Sequence, residues 1–366
     1  MHASSIPGNA LRPARRAVTP SRPVGNPLQS PALDRFTIGR VTPLLKWAGG
    51  KRQLLPVLAA HYPTRFNRYF EPFFGSGAVF FDLLSRGFLA DVPVRLSDAN
   101  PDLVGCYRVV RDSAGKVIEA LERLQSEHRR RGSECYYEVR DQRFNPRRLE
   151  LLRRGPDEMV EGYTPELAAM LVYLNRTGFN GLFRLNRKGA FNVPAGRYAN
   201  PRICDPVHVE AVSLAFRQSN VTFDCRPFDH ALSEATVDDF VYCDPPYEPL
   251  SPTASFANYT ANGFTMFDQA RLRRAVVAAA GRGAFVVVSN SSAPAIEAEY
   301  RQRAAKTAKL VLSYVPARRA INSRASSRGV VNEVIISNVQ SRLAGIKPRM
   351  ARMSTASRVE RERRSA

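Results

Sequence analysis

The chain has 366 residues, 44% of them hydrophobic, and a formal net charge of +21 from 54 basic and 33 acidic residues. That is enough apolar mass for one large domain or two modest ones, and the charge predicts a polyanionic partner, nucleic acid ahead of an acidic membrane surface. Five cysteines (Cys106, Cys135, Cys204, Cys225, Cys243), odd in number and without CxxC spacing, exclude a disulfide framework or zinc cluster and fit a reducing, cytoplasmic setting, while the uncharged apolar runs are too short to span a bilayer.

Residues 1–40 carry six Arg against one Asp, with six prolines in the first 31 positions. The prolines oppose an amphipathic helix, so a disordered basic arm is expected rather than a mitochondrial leader, and no apolar h-region marks a secretory signal. Residues 341–366, with eight basic and two acidic residues, read as a basic disordered tail. The body between the tails still carries a net charge of +10.

Within the body, Leu45-Lys46-Trp47-Ala48-Gly49-Gly50-Lys51 holds the only Trp of the chain. Its ring is suited to pack on an adenine and a lysine to meet a carboxylate; a buried Trp beside solvated lysines is the plainer alternative. Arg68-Tyr69-Phe70-Glu71 predicts a strand that runs into Phe74-Gly75-Ser76-Gly77, and Ala78 to Leu84 has helical character. Glycines in such a turn let backbone approach a ligand and permit positive φ. The third glycine of the dinucleotide fingerprint is missing, so the turn alone is weak evidence. Val94-Arg95-Leu96-Ser97-Asp98 predicts a second strand, ending in an acid 21 residues after Gly77. An acid there accepts hydrogen bonds from ribose hydroxyls, or caps the next helix.

Residues 101–215 break the strand–helix rhythm, with charge, helix formers, Arg129-Arg130-Arg131 and an Arg/Asn/Gly-rich stretch over 175–197. They predict an inserted, largely helical domain. Strand signals resume at Phe240-Val241-Tyr242-Cys243, at Ala284 to Val288 running into Ser289-Asn290, and at Leu310–Val315 and Glu333–Ile336. Alternating strands and helices predict an open, mostly parallel sheet, with ligands beyond the carboxyl ends of its strands. The candidate polar residues fall at those ends. The catalytic domain is therefore expected over 41–100 plus 216–340.

The most informative string is Asp244-Pro245-Pro246-Tyr247. Two prolines fix φ and remove two donors, so the turn after the strand is stiff. The Asp244 carboxylate and the Pro245 carbonyl are acceptors, matched to the two N–H bonds of an exocyclic amine. Holding both localises the nitrogen lone pair for attack on a methyl sulfonium. Tyr247 is placed to stack on a flipped base. The amine is itself the nucleophile, so Cys243 is expected to be a buried small apolar residue.

With these motifs in order, the chain resembles the Dam-type, or D12-class, DNA adenine-N6 methyltransferases over about 41–340. Lys46 to Lys51 resembles the family's N-terminal motif, Glu71 to Gly77 its cofactor loop, and Ser97-Asp98-Ala99-Asn100 its ribose-binding acid. Tyr173-Leu174-Asn175-Arg176, Asn180 to Arg184 and Phe191 to Tyr198 resemble its target-recognition region. Asp244 to Ser251 resembles its catalytic motif and Arg319-Ala320-Ile321-Asn322-Ser323 its late basic segment.

The resemblance implies a Rossmann-like S-adenosylmethionine-dependent sheet with an inserted target-recognition domain at 101–215. It implies S-adenosylmethionine as methyl donor, no metal, and cofactor contacts from Trp47, Lys51, Glu71, Phe74, Gly75, Gly77, Asp98 and Asp244. Catalysis would fall to Asp244, Pro245 and Tyr247. Phe179, Asn180, Leu182, Arg184, Asn192 and Arg197 would bind double-stranded DNA at GATC, Arg184 reading guanine through a bidentate match or else contacting phosphate. A monomer is expected, with a cognate restriction endonuclease left open. Three alternatives stand beside this reading: an N4-cytosine methyltransferase, which usually has Ser at the position of Asp244, a nicotinamide-dependent oxidoreductase, and a non-catalytic DNA-binding protein.

Overall fold

The computed structural model describes residues 41–47, 49, 51–247, 264–318 and 330–340. Ala48, Gly50, the segment 248–251, the late basic segment 319–323 and both tails lie outside them.

A seven-stranded sheet organises the chain in the order β3-β2-β1-β4-β5-β7-β6. Its strands are β1 (Tyr69–Glu71), β2 (Val94–Asp98), β3 (Val221–Cys225), β4 (Phe240–Cys243), β5 (Phe285–Ser291), β6 (Val311–Arg318) and β7 (Val330–Ser337). Strands β1 to β5 pair in parallel, and β7 runs antiparallel to both β5 and β6. The expected mostly parallel sheet is present, and every predicted strand is found. The sequence reading missed β3. Only Val221, Phe223 and Cys225 alternate there among polar neighbours, a weak signal, and the strand lies at the sheet edge where one flank needs no partner.

The central strands are buried on both faces, as helix-covered parallel sheets require. All four residues of β4 are buried. One face packs Phe70, Val241, Val286, Val288 and Ile336 with Leu272 and Val276 of the helix Met266–Gly281. The other packs Tyr69, Leu96, Phe240, Tyr242 and Val287 with Phe80, Leu103, Tyr107 and Phe216 of the helices Ala78–Ser85, Pro101–Arg131 and Pro206–Gln218.

Helix starts follow local chemistry. Helix α1 (Ala78–Ser85) begins after Gly77 in the left-handed region. Helix α2 (Pro101–Arg131) starts with Asn100 accepting from the Asp102 amide and Pro101 in the first turn. Helix α3 (Asn145–Leu152) follows a π-helical turn. Helices α4 (Pro165–Thr177) and α5 (Pro206–Gln218) are capped by Thr164 and Asp205, again with Pro in the first turn. Helix α6 (Met266–Gly281) opens with a Thr265/Asp268 capping box.

Helix α2 packs on the sheet at its start and on α4 further along. Tyr107 packs edge-on against Phe74 and stacks near Phe223, and Arg111 donates to the Val221 carbonyl. Ser113 leaves helical geometry, and beyond it Val117, Leu121 and Leu124 share a core with α4. No helix among the described residues is long and apolar enough to cross a membrane.

Candidate active site

Strand order brings the motif residues together. The carboxyl ends of β2, β1 and β4 lie side by side, adjacent strands being about 4.8 Å apart. They deliver Asp98, the Glu71–Gly77 loop and Asp244 to one edge of the sheet.

The glycine loop is a close approach of backbone and rings. Gly75 has φ +48°, and a Cβ there would come 3.0 Å from Trp47 Cδ1. Gly77 has φ +72°, and a Cβ there would fall 2.4 Å from the Phe74 ring. Any larger side chain meets both steric and backbone strain. Phe74 itself is buried among Tyr107, Phe80, Phe216 and Phe223, so it braces the loop from below and offers backbone to the ligand side. The Gly75 amide donates to Asp98 Oδ2 at 3.0 Å and the Asn100 amide to Oδ1 at 2.9 Å. Removal from water pushes the Asp98 carboxyl up to about 6, against the pull of these amides. Beside it the buried Asn100 Nδ2 has no hydrogen-bond partner.

Glu71 is only 2% exposed and accepts from the Tyr69 hydroxyl at 2.8 Å. Burial, with the nearby Asp244 charge, holds its carboxyl well above the usual range.

Asp244 ends β4 on a network. Lys51 Nζ lies 2.8 Å from its Oδ1, donates to the Gly49 carbonyl at 2.8 Å, and stands 4.3 Å over the Tyr247 ring. Ser289 Oγ donates to Asp244 Oδ1 at 3.0 Å and lies 2.9 Å from the Tyr242 hydroxyl. Burial raises the Asp244 carboxyl, opposed by Lys51 and Ser289. The Tyr247 hydroxyl donates to Glu333 of β7 at 2.6 Å, and Gln269 Nε2 donates to the Pro246 carbonyl at 3.1 Å. Asn290 in turn donates to Gln269 at 3.0 Å. The stiff turn is thus pinned on both sides. Sequence reasoning marked Ser289-Asn290 and Glu333 only as strand ends without a role and passed over Gln269, which has no local motif.

A second group of predicted residues sits on an arm after α4. Gly178 bridges Ala195, and Leu185 bridges Phe191 in antiparallel fashion. Phe179 is 48% exposed and Asn180 sits at φ +54°, while Leu182 is half-buried. Arg184 is exposed, its Nε donating to Asn192 Oδ1 at 2.8 Å and its Nη2 to the Asn192 carbonyl at 3.2 Å. Phe183 is buried, its ring centroid 5.4 Å from that of Trp47. Asn175 fastens this arm to the N-terminal motif: its side chain exchanges hydrogen bonds with the Lys46 amide and carbonyl, both 2.8 Å, and donates to the Gly181 carbonyl at 2.9 Å. Arg197 lines an adjoining groove of about 830 Å³ with Lys46, Arg52, Arg176, Arg202 and His208.

A model described as D12 class N6 adenine-specific DNA methyltransferase matches residues 47–314. The chain belongs to that family. The methyltransferase is 39% identical over 297 residues to the type II methyltransferase M1.LlaDCHI of Lactococcus lactis, covering 81% of this chain and 95% of the relative. It is 39% identical over 260 residues to the type II methyltransferase M.MjaIII of Methanocaldococcus jannaschii, covering 69% and 84%. It is 35% identical over 292 residues to the DNA adenine methylase of Escherichia coli, covering 80% and 93%.

Family membership makes this an adenine-specific DNA methyltransferase, and the cytosine, nicotinamide and non-catalytic readings fall away. The sheet, with its single reversed strand between β5 and β6, fits that enzyme class. Cys243 is fully buried, and burial pushes its thiol far up. All five cysteines are free.

Proposed function

We propose that this methyltransferase moves the methyl group of S-adenosylmethionine to N6 of an adenine flipped out of double-stranded DNA, at GATC. The observation that carries the reading is the shared edge of β2, β1 and β4, which sets a nucleoside-type cradle beside the Asp244 carboxylate.

The residues present fit the donor. The crowded glycines leave backbone open to a ligand, Asp98 has lone pairs left for ribose hydroxyls, and the orphaned Asn100 Nδ2 adds an unused donor. Trp47, Lys51 and Glu71 complete the lining. Bound S-adenosylmethionine supplies an electrophilic methyl on a sulfonium. Asp244 and the Pro245 carbonyl accept the two amine N–H bonds, and Tyr247 stacks on the base. The N6–CH3 bond forms as the S–CH3 bond breaks, and the nitrogen then sheds a proton toward Asp244, whose raised affinity for protons suits the role. In the structure Lys51 engages that carboxylate, so Lys51 holds and orients Asp244.

We assign target recognition to residues 101–215, whose first and last helices also pack on the sheet. Phe179 and Asn180 fill the space left by the flipped base, Leu182 supports them, Arg184 reads guanine braced by Asn192, and Arg197 engages the duplex beside the basic groove. GATC rests on the likeness of Phe179 to Arg184 to the Dam-type segment. We take the enzyme to act as a monomer. The type II names of two relatives support a restriction partner for it.

Two measurements test this. Genomic DNA from cells expressing the protein is expected to resist an endonuclease blocked by adenine methylation at GATC. Cutting as before would reject the site, and sequencing of modified bases would supply the right one. Donor binding is expected to weaken as pH falls through about 6, because protonating Asp98 removes an acceptor. The raised value places the loss below pH 6 and the full affinity above it. Calorimetric titration from pH 5 to 8 checks this; an identical step in Asp98→Asn would assign it elsewhere.

A further inference from the structure

The arm that carries Arg184 is closed by a turn over Asn186 to Ala190. Asn186 Oδ1 accepts from the Lys188 and Ala190 amides at 2.9 and 3.0 Å, and Gly189 takes φ +79°. Helix α3 grips this turn at two places. Asn145, buried, satisfies both backbone groups of Phe191, donating to its carbonyl at 2.9 Å and accepting from its amide at 2.8 Å. One turn along, Arg148 is 2% exposed. It donates to the Gly189 carbonyl through one terminal nitrogen and to Asp102 Oδ2 through Nε at 2.7 Å.

Asp102 is fully buried in the first turn of α2. Its amide donates to Asn100 Oδ1 at 3.0 Å, and the Asn100 amide donates to Asp98 Oδ1 at 2.9 Å. The Tyr163 hydroxyl approaches the other Asp102 oxygen at 3.4 Å. A single guanidinium therefore spans the turn of the arm and the start of the helix that leaves the Asp98 strand.

A buried ion pair is a poor source of stability, since desolvation offsets most of its attraction. What a planar guanidinium supplies is fixed relative placement of two acceptors, which an ammonium on a flexible stem does not reproduce. We infer that Arg148 is a positioning residue for target reading: it sets the Gly189 turn, and with it Arg184 and Asn192, against the cofactor edge of the sheet. The inference rests on the proposed base reading by Arg184, and the two are separable.

The test compares kcat/KM on duplexes containing the site that modified-base sequencing identifies with duplexes carrying each single base-pair substitution. Two variants are used. Arg148→Lys keeps a charge on Asp102 but cannot span both acceptors. Arg148→Met with Asp102→Asn removes both charges, so no lone buried carboxylate is left to unfold the protein. Discrimination at the base pair read by Arg184 is expected to fall about tenfold in each, within the range that one bidentate contact supplies. A merely structural loss lowers the folded fraction and scales all rates alike, leaving the ratio unchanged. An unchanged ratio in both variants overturns the inference. Arg184→Ala measured alongside separates the readings: loss in Arg184→Ala alone overturns the role of Arg148 and keeps base reading by Arg184, whereas loss in the Arg148 variants alone overturns base reading by Arg184 and with it the positioning of Arg184 by Arg148. Adding Arg148→Lys to Arg184→Ala is expected to cost no further discrimination; additive losses would mean that Arg148 does not act through Arg184.

Discussion

Asp244→Ala is expected to abolish methyl transfer, with single-turnover rates lowered by at least about 10²–10³-fold, the scale on which one aligned polar contact to a reacting group is removed. The variant deletes the carboxylate proposed to accept an amine N–H and leaves the Pro245 carbonyl as the remaining proposed acceptor. It also strands Lys51, which is 5% exposed and holds Asp244 at 2.8 Å. Leaving one partner of a buried pair uncompensated costs about 3–5 kcal/mol, an upper figure here because the Asp244 side chain is 20% exposed. Lys51→Met combined with Asp244→Ala separates the two effects. The double variant is expected to regain much of the lost thermal stability and none of the activity. The DNA affinity of Asp244→Ala should stay close to that of the parent, because the arm and the basic groove are formed by other residues. Activity within tenfold of the parent in Asp244→Ala would refute the catalytic role.

Arg184→Ala is expected to relax sequence choice, costing about 1–3 kcal/mol of discrimination at one base pair. Asn192 already holds the guanidinium through its side chain and its carbonyl. Those bonds use Nε and one N–H of Nη2, so the Nη1–Nη2 edge keeps donors that a guanine O6/N7 edge can accept from. A phosphate contact would behave differently. It would weaken binding on all sequences alike and lower the salt slope by about one. Equilibrium binding on cognate and single-substituted duplexes at two salt concentrations distinguishes these outcomes.

Much of the candidate corner was legible in the sequence because its pieces are local. Asp244-Pro245-Pro246-Tyr247 announces itself as an apolar strand ending in a stiff turn, and Phe74 to Gly77 as a strand-to-helix turn only glycine can make. Asp98 closes an alternating apolar and polar run. The supports were not legible. Ser289 lies 45 residues from the Asp244 it touches, and Glu333 lies 86 from Tyr247. A serine or glutamate near a strand end has no periodicity that marks it, and its partner depends on which strands become neighbours. The predicted insert boundary at residue 101 has the same limit. One helix, α2, serves both the sheet and the insert, and only the packing of Tyr107 and Val117 on different partners reveals the change.

The sequence by itself determined the strand ends, the glycine turn and the stiff Asp-Pro-Pro-Tyr turn and their order, because these are dictated by backbone chemistry within a few residues. Tertiary structure alone decided the placement of β3 and the reversed β7, the pairing of Lys51 with Asp244, the burial of Phe183 beside Trp47, and the Asp102–Arg148–Gly189 link. Each of these joins segments distant in the chain. Which charge meets which is settled by the packing of the sheet and helices that bring them together, a property no local stretch of residues carries.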